Sequence, residues 1–174
     1  MAIYHRVAGK EEILDAMVDS VFAEIELPDD DVDWPEGMRA RTRSARAALA
    51  RHPWATALMD SRRSPGPATL GHHDAVLRCL RRGLSLSMAA HAYALLDAYV
   101  YGFALTEAAL PAGDGQELAE LAARIAADFP RDAYPHLAEL TVDHVLRPGY
   151  RFGAEFEFGL ELVLDGLVAA ARDG

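Results

Sequence analysis

The chain has 174 residues, 51% hydrophobic and 25% charged, a size and content that suit one ordinary domain, or one plus a fragment of another, with a sizeable core. Asp and Glu (27) outnumber Lys and Arg (17), for a formal net charge of −10, which argues against nucleic-acid binding by this chain alone. No apolar run reaches membrane-spanning length, no signal peptide opens the chain, and the single Cys79 excludes an internal disulfide or a cysteine zinc site, so the default expectation is a cytoplasmic protein with no membrane partner.

In chain order, Met1-Ala2-Ile3-Tyr4 reads as the end of an element already under way, and Val7 to Glu12 as a turn entering a helix. Ile13, Leu14, Met17, Val18, Val21 and Phe22 recur at helical spacing, bounded by Gly9 and Leu27-Pro28. DDDVDWPEG is an acidic, turn-rich loop. Pro35 suits a first helical turn, so a helix is expected from there to Arg51, with a thin apolar face of Met38, Thr42, Ala45, Ala48 and Leu49. Residues 39–51 carry five Arg and no acid, which reads as a solvated helix face. Pro53 opens a short helix, SRRSPGP breaks it, and a further helix covers about 67–82 and stops at Gly83.

Residues 85–110 form the longest pattern and are apolar on nearly every side, which predicts a helix buried all round, packed on the core and on a second subunit. PAGDG breaks the pattern, QELAELAARIAADF is another amphipathic helix, and a helix from about Tyr134 to Val145 follows. In the last helix Phe152, Phe156, Gly159, Val163, Gly166 and Ala170 share a face. Glycine costs about 1 kcal/mol in a helix relative to alanine, a cost that close helix packing offsets. Phe156, Gly159, Val163, Gly166 and Ala170 are therefore expected at a dimer interface, with this helix and the 85–110 helix forming half of a four-helix bundle. The fold class is all-α, with about seven helices.

Few constellations carry chemistry. His72-His73-Asp74 points in different directions on a helix, so the three do not converge on one ion and read as polar residues of a half-exposed helix. His136, Glu139 and Asp143 lie on one helical face and define the alternative reading, a small helical metal-binding protein or enzyme. Against it, no Glu-x-x-His motif accompanies them. Ser85, Ser87, His91 and Asp97 suggest a hydrolase triad, but no nucleophile elbow presents a serine. No Gly-x-Gly-x-x-Gly or Walker loop is present. The reading is of no enzyme and no cofactor. Asp97 is more informative, because it sits in the most apolar stretch of the chain, where a carboxylate needs a partner. Tyr93 and Tyr101 lie four residues to either side on the same face, and such a surface suits a small-molecule pocket.

The opening MAIYHRVAGKEEILDAMVD resembles the segment of TetR-type transcriptional repressors where the recognition helix ends and the linking helix begins. Ile3-Tyr4, Val7, Lys10 and Ile13-Leu14-Asp15 are in register with that family's pattern. The similarity continues through HPWATALMD, the 85–110 helix and EFEFGLELVLDGL, and is closest to the subgroup with the tetracycline-repressor type of C-terminal domain. The resemblance implies a homodimeric, ligand-responsive regulator that binds a small-molecule inducer and an operator. It implies that residues 1–9 are a remnant of the helix-turn-helix domain and that residues 10–174 are the linking helix with the ligand-binding and dimerisation domain. Operator binding then needs N-terminal helices absent from this sequence. It also places Tyr4, Arg6 and Lys10 at DNA-contacting positions, and Arg41, Ala45, Met59, Arg62, His73, Tyr93 and Asp97, with Tyr101, at the ligand site. Met59 falls where tetracycline repressors carry a histidine that helps hold drug-bound magnesium. A thioether is a poor ligand for a hard cation, so a largely apolar inducer is expected instead.

Overall fold

The computed structural model describes residues 9–59, 64–110 and 115–172, with the backbone alone for 115–118. Among the described residues every regular element is helical. The elements are α1 (Lys10–Ala23), α2 (Trp34–Arg51), α3 (Pro53–Met59), α4 (Pro67–Arg81), α5 (Leu86–Ala108), α6 (Gly115–Asp128), α7 (Pro135–Leu140), a π-helical turn (Thr141–Val145) and α8 (Gly153–Arg172). The chain divides into two compact units, Met1–Ala108 with Phe158–Gly174, and Ala109–Glu157.

In the first unit, prolines in the first turn start α2, α3 and α4, where a missing N–H costs nothing. The Asp33 side chain caps α2 by accepting from the Glu36 N–H at 3.0 Å. Helix α2 packs on α5, α4 and α3, and α1 on α4 and α3. The core is built from Val21, Met38, Ala45, Leu49, Leu80, Ala92, Leu96, Val100, Leu160 and Leu164. The acidic loop before α2 is gripped from α4's end: the Arg82 guanidinium donates to the carbonyls of Asp30 and Val32, both at 2.7 Å, and of Asp29 at 3.1 Å. Beneath it Cys79 is buried, and a Cβ on Gly37 would come 2.8 Å from its Sγ. Burial pushes the Cys79 thiol up, outweighing the pull of Arg82.

Two expectations need correction, and a third, helix α5 packed on the core and on a second subunit, is seen on its core side. Only the stripe Ala89, Ala92, Leu96, Val100 and Ala104 is sealed, while Leu86, Leu95 and Leu105 stay exposed. The Arg-rich face of α2 is not simply solvated, because Arg41 is fully buried and Arg39 holds Glu161 of α8 by two bonds of 2.7 and 2.8 Å. The single helix expected over 134–145 is α7 followed by a π-helical turn. Within the second unit, Asp143 of that turn lies 3.6 Å from Arg131.

Helix α4 begins after Gly66, which has no side chain to cap it. The Asp19 carboxylate of α1 takes that place. It accepts from the Thr69 N–H at 2.7 Å, the Thr69 hydroxyl at 2.8 Å and the Ala68 N–H at 3.3 Å. A Cβ on Gly66 would fall 2.3 Å from Asp19 Cγ, so this close approach requires glycine. Partial burial raises the Asp19 carboxyl, but these bonds outweigh it and hold it below its ordinary 3.8. A depressed carboxyl stabilises the fold above its ordinary value and loses that contribution as pH falls. Asp19→Ala is expected to cost about 1 kcal/mol and so lower Tm by roughly 2–4 °C. The gap from the parent chain should close in acid, below pH 3.8. Thermal unfolding at neutral and acid pH checks both, and an unchanged Tm at neutral pH would show the cap to be idle.

Candidate functional site

The α-helical repeat sets Tyr93, Asp97 and Tyr101 one turn apart along α5. Facing them, Arg41 of α2 is fully buried, with Nη1 2.8 Å from Asp97 Oδ1. Its Nε–H donates to His72 Nε2 of α4 at 3.0 Å. A guanidinium only donates, so that nitrogen of His72 carries the lone pair and the proton sits on Nδ1. His72 Nδ1 is buried without a hydrogen-bond partner. Burial, with Arg41 alongside, pushes the His72 imidazole down to about 3, so it is neutral at physiological pH. Burial also lowers His73, against the pull of Asp97. Tyr93 meets His73 Nδ1 at 2.6 Å, and burial together with Asp97 pushes its hydroxyl up to about 12. Burial likewise raises Tyr101.

A cavity of about 640 Å³ opens against this cluster, within the range of small-molecule sites. Its walls come from α1 (Asp15, Val18, Phe22), α3 (Thr56, Ala57, Met59), the start of α4 with its preceding loop (Ser64, Pro65, Gly66, Thr69, His73) and α5 (Asp97, Tyr101, Gly102, Leu105). The lining is mainly apolar. The polar floor is close to charge-neutral, since Arg41 offsets Asp97 and both histidines are held uncharged.

Of the residues the sequence singled out, Met59, His73, Asp97 and Tyr101 line the cavity. Arg41 and Tyr93 stand behind the wall and hold Asp97 and His73. Ala45, one turn on from Arg41, is sealed in the core and does not reach the cavity. Arg62, Tyr4 and Arg6 lie outside the described residues, and Lys10 is the exposed first residue of α1. On the helix that carries the three polar residues 72–74, His72 is buried, His73 is half-buried and Asp74 is exposed. Of the stripe expected at a dimer interface, two residues face the chain itself. Phe156 is buried within the chain, and a Cβ on Gly159 would meet the Tyr99 hydroxyl at 2.3 Å, so both serve the chain's own packing. Val163 is half-buried, and Gly166 and Ala170 are exposed. The exposed apolar residues of α8 are instead Phe158 and Leu162.

The other constellations do not assemble. Ser85 caps α5 by accepting from the Met88 N–H at 3.2 Å, and His91 is exposed. His136 and Glu139 are exposed, and no group of three His, Cys, Asp or Glu side chains among the described residues can hold a metal ion. Wall residues the sequence did not single out as binding include Asp15, Val18 and Phe22 of α1, Thr56 and Ala57 of α3, the 64–66 loop with Thr69, and Gly102 and Leu105 of α5. Extending the four-residue repeat from Asp97 through Tyr101 reaches Leu105, and the α1 stripe already held Val18 and Phe22. Nothing local marks the residues of α3.

The ion pair should be costly to break singly. Arg41→Met leaves Asp97 without its counter-charge and is expected to cost about 3–5 kcal/mol, whereas Arg41→Met with Asp97→Leu should recover most of it. Denaturant midpoints of the three chains test this, and additive single costs would refute it. A histidine held neutral in the fold stabilises above its ordinary value of 6.5 and loses that contribution as pH falls toward about 3. His72→Gln keeps an acceptor for Arg41, so it should flatten the loss of stability below pH 6.5, measured by the same denaturation series.

Residues 27–171 match the family model described as the tetracyclin repressor-like C-terminal domain. The chain is 32% identical to the HTH-type transcriptional repressor DrrR1 of Streptomyces coeruleorubidus, across 100% of this chain and 67% of that protein. It is 29% identical to an HTH-type transcriptional regulator of Saccharopolyspora erythraea, across 98% of this chain and 71% of that one. Among solved structures it is similar to the Streptomyces coelicolor TetR family protein ActR in complex with actinorhodin, with TM-score 0.76, 26% identity, and 98% and 81% of the two chains covered. A possible TetR family transcriptional regulator from the same species matches with TM-score 0.74 and 31% identity, covering 97% and 82%. This chain belongs to the TetR-type family of transcriptional regulators.

Proposed function

We propose that the chain is the ligand-binding and dimerisation portion of a TetR-type repressor, which takes a small, largely apolar inducer into the cavity between α1, α3, α4 and α5. The cavity itself carries the reading: about 640 Å³, apolar walls and a buried, charge-compensated floor. The similarity to ActR, seen with actinorhodin, supports it. The role is one of binding rather than catalysis. Residues 10–174 form this portion, and residues 1–9 belong with the DNA-contacting helix-turn-helix, through which an operator is bound.

Dimerisation with a second copy is part of the same proposal. Phe158 and Leu162 are 68% and 58% exposed one turn apart on α8, and Leu95 of α5 is 48% exposed. An apolar stripe of this kind is poorly suited to water. Phe158→Glu is expected to convert a dimer to a monomer in sedimentation equilibrium. A monomeric parent chain, or a dimeric variant, would sink this assignment.

Gly102 gives the ligand test. It lines the cavity, and a Cβ there has nothing within 4 Å, so a side chain can start from this position at the cavity wall. Gly102→Phe should fold at least as stably as the parent, because it removes a helical glycine worth about 1 kcal/mol. Its binding of actinorhodin, or of the dye anilinonaphthalene sulfonate, should weaken at least about tenfold in a fluorescence titration, the loss of roughly 1.4 kcal/mol. Unchanged binding in the variant would place the ligand elsewhere.

A further inference from the structure

Asp19 does not line the cavity, yet it joins two of the elements that do. On α1 the wall residues are Asp15, Val18 and Phe22, and at the start of α4 they include Gly66, Thr69 and His73. Both sets are spaced three and then four residues apart, so each helix turns one face to the cavity. The two helices meet at two points about one turn apart. Phe22 packs on His72 and His73, with ring centroids 5.4 and 5.2 Å away. One turn earlier on α1, the Asp19 carboxylate accepts from the Thr69 N–H, the Thr69 hydroxyl and the Ala68 N–H, at 2.7, 2.8 and 3.3 Å. From Lys10 to Met17 no residue of α1 is buried, so the tie at Asp19 stands where the helix begins to be held.

We infer that Asp19 limits the size of the ligand that the cavity accepts, by holding the α1 wall against the α4 wall. The inference rests on the ligand-binding reading above and deepens it. Thr69 is both a wall residue and the main partner of Asp19, so a ligand that presses α4 away from α1 stretches these bonds. Hydrogen bonds to a carboxylate are charge-assisted and weaken steeply with distance and angle, whereas the apolar contact at Phe22 tolerates a small rotation. The resting separation is already the closest the backbone allows. A Cβ on Gly66 would fall 2.3 Å from Asp19 Cγ, so the two elements approach this far only because residue 66 has no side chain. A ligand that fits the cavity leaves the tie intact and gains nothing from its loss. A bulkier one has to break it, and the cost is subtracted from its affinity. Asp19 is thus a positioning residue, which sets specificity without touching the ligand.

The test is calorimetric titration of the whole chain with a small probe, 2-naphthol, and a bulky one, actinorhodin, read as the ratio of their affinities. In Asp19→Ala the ratio should move toward actinorhodin by about tenfold or more, while 2-naphthol binds within about twofold of the parent value. Gly66→Ala drives a methyl group into the place of the carboxylate and breaks the same tie from the other side, so it should move the ratio in the same direction. Asp19→Asn keeps an acceptor oxygen for the Thr69 N–H and should restore most of the parent ratio. A purely structural role would weaken both probes alike and leave the ratio where it was. An unchanged ratio in Asp19→Ala, actinorhodin excluded from parent and variants alike, or a ratio in Asp19→Asn equal to that in Asp19→Ala overturns the inference and leaves the ligand-binding reading standing. Gly66→Ala decides the matter if Asp19→Ala does not fold. Failure of the parent chain to bind either probe overturns the reading and the inference together.

Discussion

The buried pair of Arg41 and Asp97 is the constraint around which the first unit is organised. Two charges removed from water are tolerated only when each finds its counter-charge. Arg41 is committed through Nη1 to α5 and through Nε to α4. Beside them, Tyr93 of α5 holds His73 of α4 at 2.6 Å. Three helices are thereby fixed in register by polar contacts, where apolar packing alone would tolerate sliding. The Arg41 contact fixes His72 in one tautomer, and burial lowers both histidines. The chemistry of the cavity floor follows from how the chain accommodates one arginine that it has buried.

Much of the architecture was legible in the sequence because it is written locally. Prolines at 35, 53 and 67 mark helix starts, and the stripes in α1 and α2 show their inner faces. Asp97 stood out for a reason that needs no structure, since a carboxylate among alanines, leucines and tyrosines must have a partner. Its partner did not stand out. Arg41 lies among four other arginines of one segment, and nothing in their spacing says which of them turns inward. His72 was hidden for the same reason: its partner is 31 residues away and visible only once α2 and α4 are packed. The widening of the backbone at Thr141–Val145 leaves no trace in hydrophobic periodicity, which is set by side chains and not by the hydrogen-bond step. The glycines of α8 were recognised as sites of close approach, and Gly159 is one, but the approaching group is Tyr99 of the same chain.

The apolar surface of the first unit is used in two distinct ways. Around the cavity it is concave, with polar groups among the apolar walls. Along α8 it is a narrow convex stripe with acidic neighbours, Glu157, Glu161 and Asp165. A convex stripe is complementary to another helix, whereas the concave surface suits a compact molecule. Arg39, which grips Glu161, and Arg41, which grips Asp97, lie two residues apart on α2, so that single helix is anchored to both surfaces.

Cys79 has a consequence of a practical kind. It is the only cysteine of the chain, and it lies under Gly37 and beside the Arg82 guanidinium with 1% of its surface exposed. Thiol-directed reagents react with accessible thiolates, and this thiol is neither accessible nor readily ionised. The natural sequence therefore presents a nearly silent background for labelling. One cysteine introduced at an exposed position such as Ala169 of α8 becomes a unique attachment point for a spin label or fluorophore. Distances between such labels would read the separation of two copies directly, with and without a ligand in the cavity.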